Sequence, residues 1–185
     1  GAMTAAARVL ILRALPYGAD SRAMRWGQIY SASPTSWGCW GTKDPAHEAS
    51  NILKHRPSAS YWGFVFGHCK FMLAAFFFAY RRLSAGDPVV CVDLETAIPG
   101  MLAARLRGAR IHFDVADPFD LAKPVPFKRF FRWLEWWVAK HADLVTVPHA
   151  SRLGLYGRSV TAAQVVENVP LLPFTQQNRK FLEDV

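Results

Sequence analysis

Between Val89 and Arg152 the chain alternates short β-branched runs with helical patterns: VVCV, a helix-spaced apolar series, RIHF, an aromatic helix, then LVTV. Strands that recur with a helix between them need crossover connections, and crossovers are right-handed. The product is an α/β fold, a doubly wound, mainly parallel sheet with helices on both faces. Two acidic clusters, Asp93/Glu95 and Asp114/Asp117, directly follow two of the β-branched runs. Ligands of such sheets bind outside the carboxyl ends of the strands, so both clusters are expected to face one crevice.

The rest of the chain fits the same plan. Arg8 to Arg13 (RVLILR) reads as a buried strand, Ala14 to Ala19 as the loop after it, and Asp20 or Ser21 as the cap of a helix from about Arg22 to Ala32. A second strand is expected over Ser36–Thr42, weakened by its glycine, and Lys43 to Gly63 reads as irregular. The pattern puts a third strand near Tyr61–Phe66 and a long helix from about Gly67 to Leu83 that is apolar all round. Val89–Val92 is a strand buried on both faces, and the fourfold spacing of Ile98, Leu102 and Leu106 predicts a helix stopping at Gly108. Arg110–Phe113, Leu144–Val147 and Gln164–Val166 complete the strands; Phe127–His141 and Ser151–Tyr156 are the remaining helices.

At 185 residues the chain suits one domain with a buried core, here residues 4–174. Gly1-Ala2-Met3 reads as a tag remnant, and Thr175 to Val185 as a tail. A net charge of +8 favours an acidic partner: a nucleotide, an anionic membrane or nucleic acid. Cys39, Cys69 and Cys91 lie in apolar surroundings without paired metal spacing, which points to reduced, packed thiols and no metal site. The apolar run Phe71–Tyr80 is ten residues long, half of the ~20 a bilayer core requires. On that count the chain is expected to be soluble or peripheral, not spanning.

The run VVCVDLETAIPGMLAARLRGARIHFDVADPF, with WLEWWVAKHADLVTVPHASR and VVENVP after it, resembles the amino-terminal domain of family 4 glycosyltransferases. The resemblance covers roughly Arg8 to Pro170 and implies a GT-B enzyme, in which two Rossmann-like domains face each other across a cleft. Family members continue past VVENVP into a nucleotide-sugar-binding half. Many also carry a His where Ala116 stands here, which leaves Asp117 as the polar candidate. By this resemblance Asp117 orients or deprotonates the acceptor hydroxyl, and Asp93, Glu95, Asp114 and His149 are candidate substrate contacts. Gly18 would let backbone approach a ligand, with Arg22 and Arg25 near an anion site at the following helix. Each has a plainer alternative: a turn at Gly18, helix capping at Asp93 or Glu95, a turn at Asp117-Pro118, and a structural role for His149. The oxidoreductase spacing GxGxxG is absent from the loop.

The helix Phe127–His141 carries the second signal. At about 100° per residue, Phe127, Phe130, Phe131, Leu134 and Val138 share one face, expected to be core. Arg129, Arg132, Trp136 and Lys140 lie opposite, flanked by Trp133. Indole among cations suits a membrane interface, where Trp sits at headgroup level and Lys or Arg meets anionic lipid. Packing against a second domain or a partner chain is the alternative.

Together these features lead to one functional expectation: the acceptor-side domain of a membrane-associated glycosyltransferase, cytoplasmic and peripheral at the inner face. It would use a nucleotide sugar bound mainly by the other half, a lipid-linked or polysaccharide acceptor, and no cofactor. The alternative is a stand-alone, non-catalytic subunit that recruits a catalytic partner to the membrane. Nucleic-acid binding rests on charge alone, without a reading helix or stacking motif, and is not expected.

Overall fold

In a computed structural model, which describes residues 8–41, 51–53, 61–116, 127–156 and 162–166, seven parallel strands form one sheet. They are β1 (Val9–Arg13), β2 (Thr35–Trp40), β3 (Asn51–Leu53), β4 (Pro88–Val92), β5 (Arg110–Asp114), β6 (Leu144–Val147) and β7 (Ala163–Val165). The described helices are α1 (Ser21–Ile29), α2 (Tyr61–Arg82), α3 (Leu94–Arg107), α4 (Lys128–His141) and α5 (Ala150–Tyr156). Strand order is β3-β2-β1-β4-β5-β6-β7, so the direction of winding reverses between β1 and β4. The fold is Rossmann-like α/β. Because the strands are parallel, each crossover helix returns from their carboxyl edge to their amino edge, and the helix amino ends gather at the carboxyl edge.

Winding direction also divides the helices between the two faces. α1 covers one face through Ala23 and Trp26, which meet Val9, Ile11, Val90 and Val92. On the other face, α2, α3, α4 and α5 bury Leu83, Met101, Val138 and Tyr156 against Leu10, Leu12, Cys91 and Phe113. The sheet interior is mainly aliphatic, as expected for parallel strands covered on both sides, with the polar His112, Asp114 and Thr146 also buried on the α1 side. α3 ends as the sequence implies, with Gly108 in the left-handed region (φ 67), where glycine carries no Cβ penalty.

Two local expectations change. Tyr61–Phe66 is the first part of α2, and the strand next to β2 is Asn51–Leu53, inside the polar stretch that reads as irregular. The apolar helix is consequently longer than its ten-residue centre. Trp62–Arg82 is 21 residues with mean hydropathy 1.4, long and apolar enough to cross a membrane by length and composition. Length therefore does not exclude a span. Packing does place the helix, however: Phe71, Ala75 and Ala79 are fully buried, and Phe71 stacks on Trp40 of β2 at 4.7 Å.

The faces of α4 also differ from the helical wheel. Phe131, Leu134, Val138 and Ala139 pack inward, but Phe127 is 80 % and Phe130 53 % exposed. Glu135 takes an inward position because the Tyr156 hydroxyl donates to its Oε1 at 2.6 Å, which satisfies a carboxylate that the wheel would send to solvent.

Candidate functional site

The point where winding reverses, between β1 and β4, is where open α/β sheets form their ligand crevice. Register puts Arg13 of β1 beside Val92 of β4, and Val92 beside Asp114 of β5. Asp93, the next residue, adopts φ 65, ψ 167, a region that is essentially glycine's. Holding it there are the Asp93 N–H, which donates to Asp114 O at 2.9 Å, and the Asp93 carbonyl, which accepts from Thr96 N and Ala97 N. Such strain costs on the order of 1–3 kcal/mol and concentrates at functional sites.

The Asp93 carboxylate does not cap α3, although the residue occupies the cap position. Its Oδ2 pairs with the Arg13 guanidinium, and its Oδ1 accepts the Ala116 N–H at 3.0 Å. Asp20 meets the same guanidinium from the other side, Oδ2 lying 2.6 Å from Arg13 Nε. That approach is an ion contact without hydrogen-bond alignment, since neither atom has an aligned partner. The other Asp20 oxygen caps α1 by accepting from Arg22 N at 2.9 Å, as the sequence implies. Burial works against the Arg13 charge, but Asp93, Asp20 and Asp114 outweigh it and raise its pKa. One guanidinium between two flanking carboxylates leaves the cluster with excess acceptors, suited to hydrogen-bond donors such as hydroxyls.

Glu95 lies in the first turn of α3, 9 % exposed, with Oε1 3.3 Å from His68 Nε2 of α2. His68 Nδ1 is 2.8 Å from the Phe64 carbonyl, so Nδ1–H donates there, and Nε2 donates to the carboxylate when the ring carries its second proton. Trp40 meets the imidazole edge-to-face at 4.9 Å. A carboxylate and an imidazole in contact at the mouth of the crevice can exchange a proton with a bound hydroxyl. His68 escapes sequence reading: it falls near Lys70 in an otherwise apolar stretch of helix, and no spacing marks it as a partner of Glu95. Among the described residues no three His, Cys, Asp or Glu side chains converge on a metal site.

The remaining candidates are dispersed. Asp114 is fully buried on the α1 side, with Arg22 Nε at 2.7 Å from Oδ2 and Arg22 Nη2 at 2.5 Å from Oδ1. Trp26 Nε1 (2.8 Å) and the Thr146 hydroxyl (2.6 Å) also donate to it, so it is closed to a ligand and ties α1 to the sheet. Arg22 is thereby turned inward, away from the loop where it could serve an anion. Gly18 is exposed in that loop at φ 78, with open space around it, and backbone can be approached there. His149, two strands from Asp93, is exposed and accepts Ser151 N at 3.3 Å, a capping role for α5. Asp117 lies outside the described residues; the residue before it, Ala116, is held from both sides by Asp93 Oδ1 and by Arg152 Nη1.

On α4, Arg129, Arg132, Trp133 and Lys140 are exposed, whereas Trp136 is half-buried with Lys140 Nζ 5.3 Å from its ring centre. Phe127, Phe130 and Trp133 are the aromatic residues of the outer surface.

No protein-family model and no curated protein matches the chain.

Proposed function

We propose that this domain holds the acceptor of a membrane-associated glycosyltransferase, which moves a sugar from a nucleotide-sugar donor to a lipid-linked or polysaccharide hydroxyl. The observation that carries the reading is the β1–β4 crevice, where Asp93 is held in a strained backbone beside Arg13 and Glu95 contacts His68. A fold of this kind hosts many chemistries; the site and the family 4 resemblance of the sequence support this one. The donor would sit mainly on a second, nucleotide-binding half, in the same protein or in a partner subunit.

In this reading the acceptor hydroxyl gives up its proton as its oxygen forms a bond to the anomeric carbon, and the nucleotide leaves with the electrons of the old bond. Asp117 is the proposed base, following the resemblance. Asp93 and Glu95 hold neighbouring hydroxyls, and His68 orients Glu95. The work is cytoplasmic, at the inner face of the membrane. In the full enzyme, Asp117→Asn should lower kcat by about 10²-fold or more while the melting temperature holds. Unchanged turnover removes Asp117 from the chemistry.

A second reading, a non-catalytic subunit that recruits a partner, draws on the exposed apolar residues of α2, among them Trp62 and Phe66 at 66 % and 68 %. An immunoblot of source cells separates the two. A band about twice the size of this chain favours the two-domain enzyme, and one at this chain's size favours the subunit.

A further inference from the structure

α2 has two apolar faces. The inner stripe is Phe71, Ala75 and Ala79, fully buried on the sheet. The outer stripe is Trp62, Phe66, Cys69, Leu73, Phe77 and Tyr80, all exposed and spaced three or four residues apart along the whole helix. A core helix needs only the first stripe, because the opposite face ordinarily carries charge. The outer stripe continues sideways, since α3 packs between α2 and α4. Leu102 and Leu106 of α3 are 50 % and 67 % exposed, and Phe130 and Trp133 of α4 are 53 % and 54 % exposed.

Charge on this layer has one sign. The three helices carry nine Lys or Arg residues, three in α2, two in α3 and four in α4, and every one is exposed. Their only acids are Glu95 and Glu135, at 9 % and 5 % exposure, each turned inward to a partner. Exposed cations interleaved with exposed Leu, Phe and Trp, with no exposed anion, is the composition of an interfacial surface for anionic lipid. A second copy presenting the same cations would be repelled. Nucleic acid would gain neither stacking nor hydrogen bonds from Leu73, Leu102 and Leu106.

We propose that the outer surface of α2, α3 and α4 lies flat on an anionic bilayer, with α2 in the plane of the interface rather than across it. Crossing would strip Phe71, Ala75 and Ala79 from the sheet and break the Trp40–Phe71 stack. The amino ends of α2 and α4 are at the carboxyl edge of the sheet, so the exposed aromatics Trp62, Phe66 and Phe130 bring the membrane to the rim of the β1–β4 crevice. The acceptor this surface favours is therefore a lipid-linked one, its apolar chain in the bilayer and its sugar in the crevice. The inference rests on the membrane part of the proposed function and not on its transfer chemistry.

Cys69 supplies the test. It is exposed on the outer stripe, while Cys39 and Cys91 are buried, with burial pushing the Cys39 thiol up to about 12 and raising that of Cys91 as well. A polarity-sensitive thiol dye will label Cys69 selectively in the folded chain. Vesicles of phosphatidylcholine with about one-third phosphatidylglycerol should bind the labelled chain and shift the dye to the blue, with binding at least roughly tenfold weaker to phosphatidylcholine alone. Arg81→Gln with Arg129→Gln should weaken binding by about 30-fold, taking ~1 kcal/mol per cation near the surface. Leu73→Ser should weaken it by about tenfold while the melting temperature holds. Absence of binding, binding without a dye shift, or quenching of the dye by a quencher trapped inside the vesicles each overturns the proposal. A transfer assay with a water-soluble acceptor in the full enzyme reads the chemistry separately. Transfer without vesicle binding overturns the surface alone, and vesicle binding without transfer overturns the chemistry alone.

Discussion

At the scale of single residues, the buried polar network on the α1 side is the part of the molecule most exposed to test. Thr146 has one hydroxyl proton and gives it to Asp114, so His112 donates to the Thr146 oxygen through Nε2 at 2.9 Å. Nδ1 is then a buried lone pair without a partner, and Trp26 stands edge-on to the ring at 4.4 Å. Burial, with a smaller push from Arg22 and a contrary pull from Asp114, lowers the His112 pKa to about 4 from 6.5. The ring is thus neutral in the fold and more basic in the unfolded chain. Its contribution is fully present above pH 6.5 and is lost as pH falls from 6.5 through 4. The difference is worth about 3 kcal/mol at most. Denaturant unfolding across that range should show stability falling with pH, and His112→Gln should flatten the slope; an unchanged slope contradicts the assignment. Arg22→Met strands the Asp114 carboxylate and should cost about 3–5 kcal/mol. A cost under about 1 kcal/mol would mean that water reaches the pair. Little of this was legible beforehand. Asp114 stood out only as an acid after a strand, and its partner lies 92 residues earlier in a helix whose sequence does not show which cation turns inward.

Among the elements, those governed by local rules were readable. Asp20 caps α1, Gly108 closes α3, and β4 and β5 begin within a residue of their expected positions. Where tertiary contacts decide, the sequence was ambiguous. YWGFVF alternates aromatic, β-branched and glycine residues as a strand would, yet it continues α2, because once the turns around Phe71 and Ala75 are anchored each further residue adds a hydrogen bond without a new nucleus. β3 is three residues long and has no alternation to reveal it. On α4, a wheel built from hydrophobicity cannot know that Tyr156 waits for Glu135, and so it places Phe130 inside. That pair also locks α5 against α4, and burial beside Glu135 raises the Tyr156 pKa. Tyr156→Phe should cost about 1–3 kcal/mol because it leaves the carboxylate without its donor. If stability is unchanged in thermal melts, the α4–α5 joint rests on apolar packing alone.

For the whole molecule, winding order does the organising. Reversal between β1 and β4 gathers Arg13, Asp20, Asp93 and Glu95 at one edge, and the same rule sends α2, α3 and α4 to one face, where their exposed cations and aromatics form a single surface. Asp93 and Glu95 were legible as residues at the carboxyl end of β4 from their position after a strand. His68 was not, because only the packing of α2 on the sheet brings it to Glu95. If this crevice holds the acceptor of a sugar transfer, as proposed, the full-length protein will move labelled sugar from a nucleotide sugar into membrane lipid. Glu95→Gln, which replaces a charged partner of the acceptor hydroxyls, should reduce transfer by about tenfold or more with the melting temperature unchanged. Transfer by Glu95→Gln equal to that of the parent, or no transfer by the parent from any nucleotide sugar, would contradict the claim.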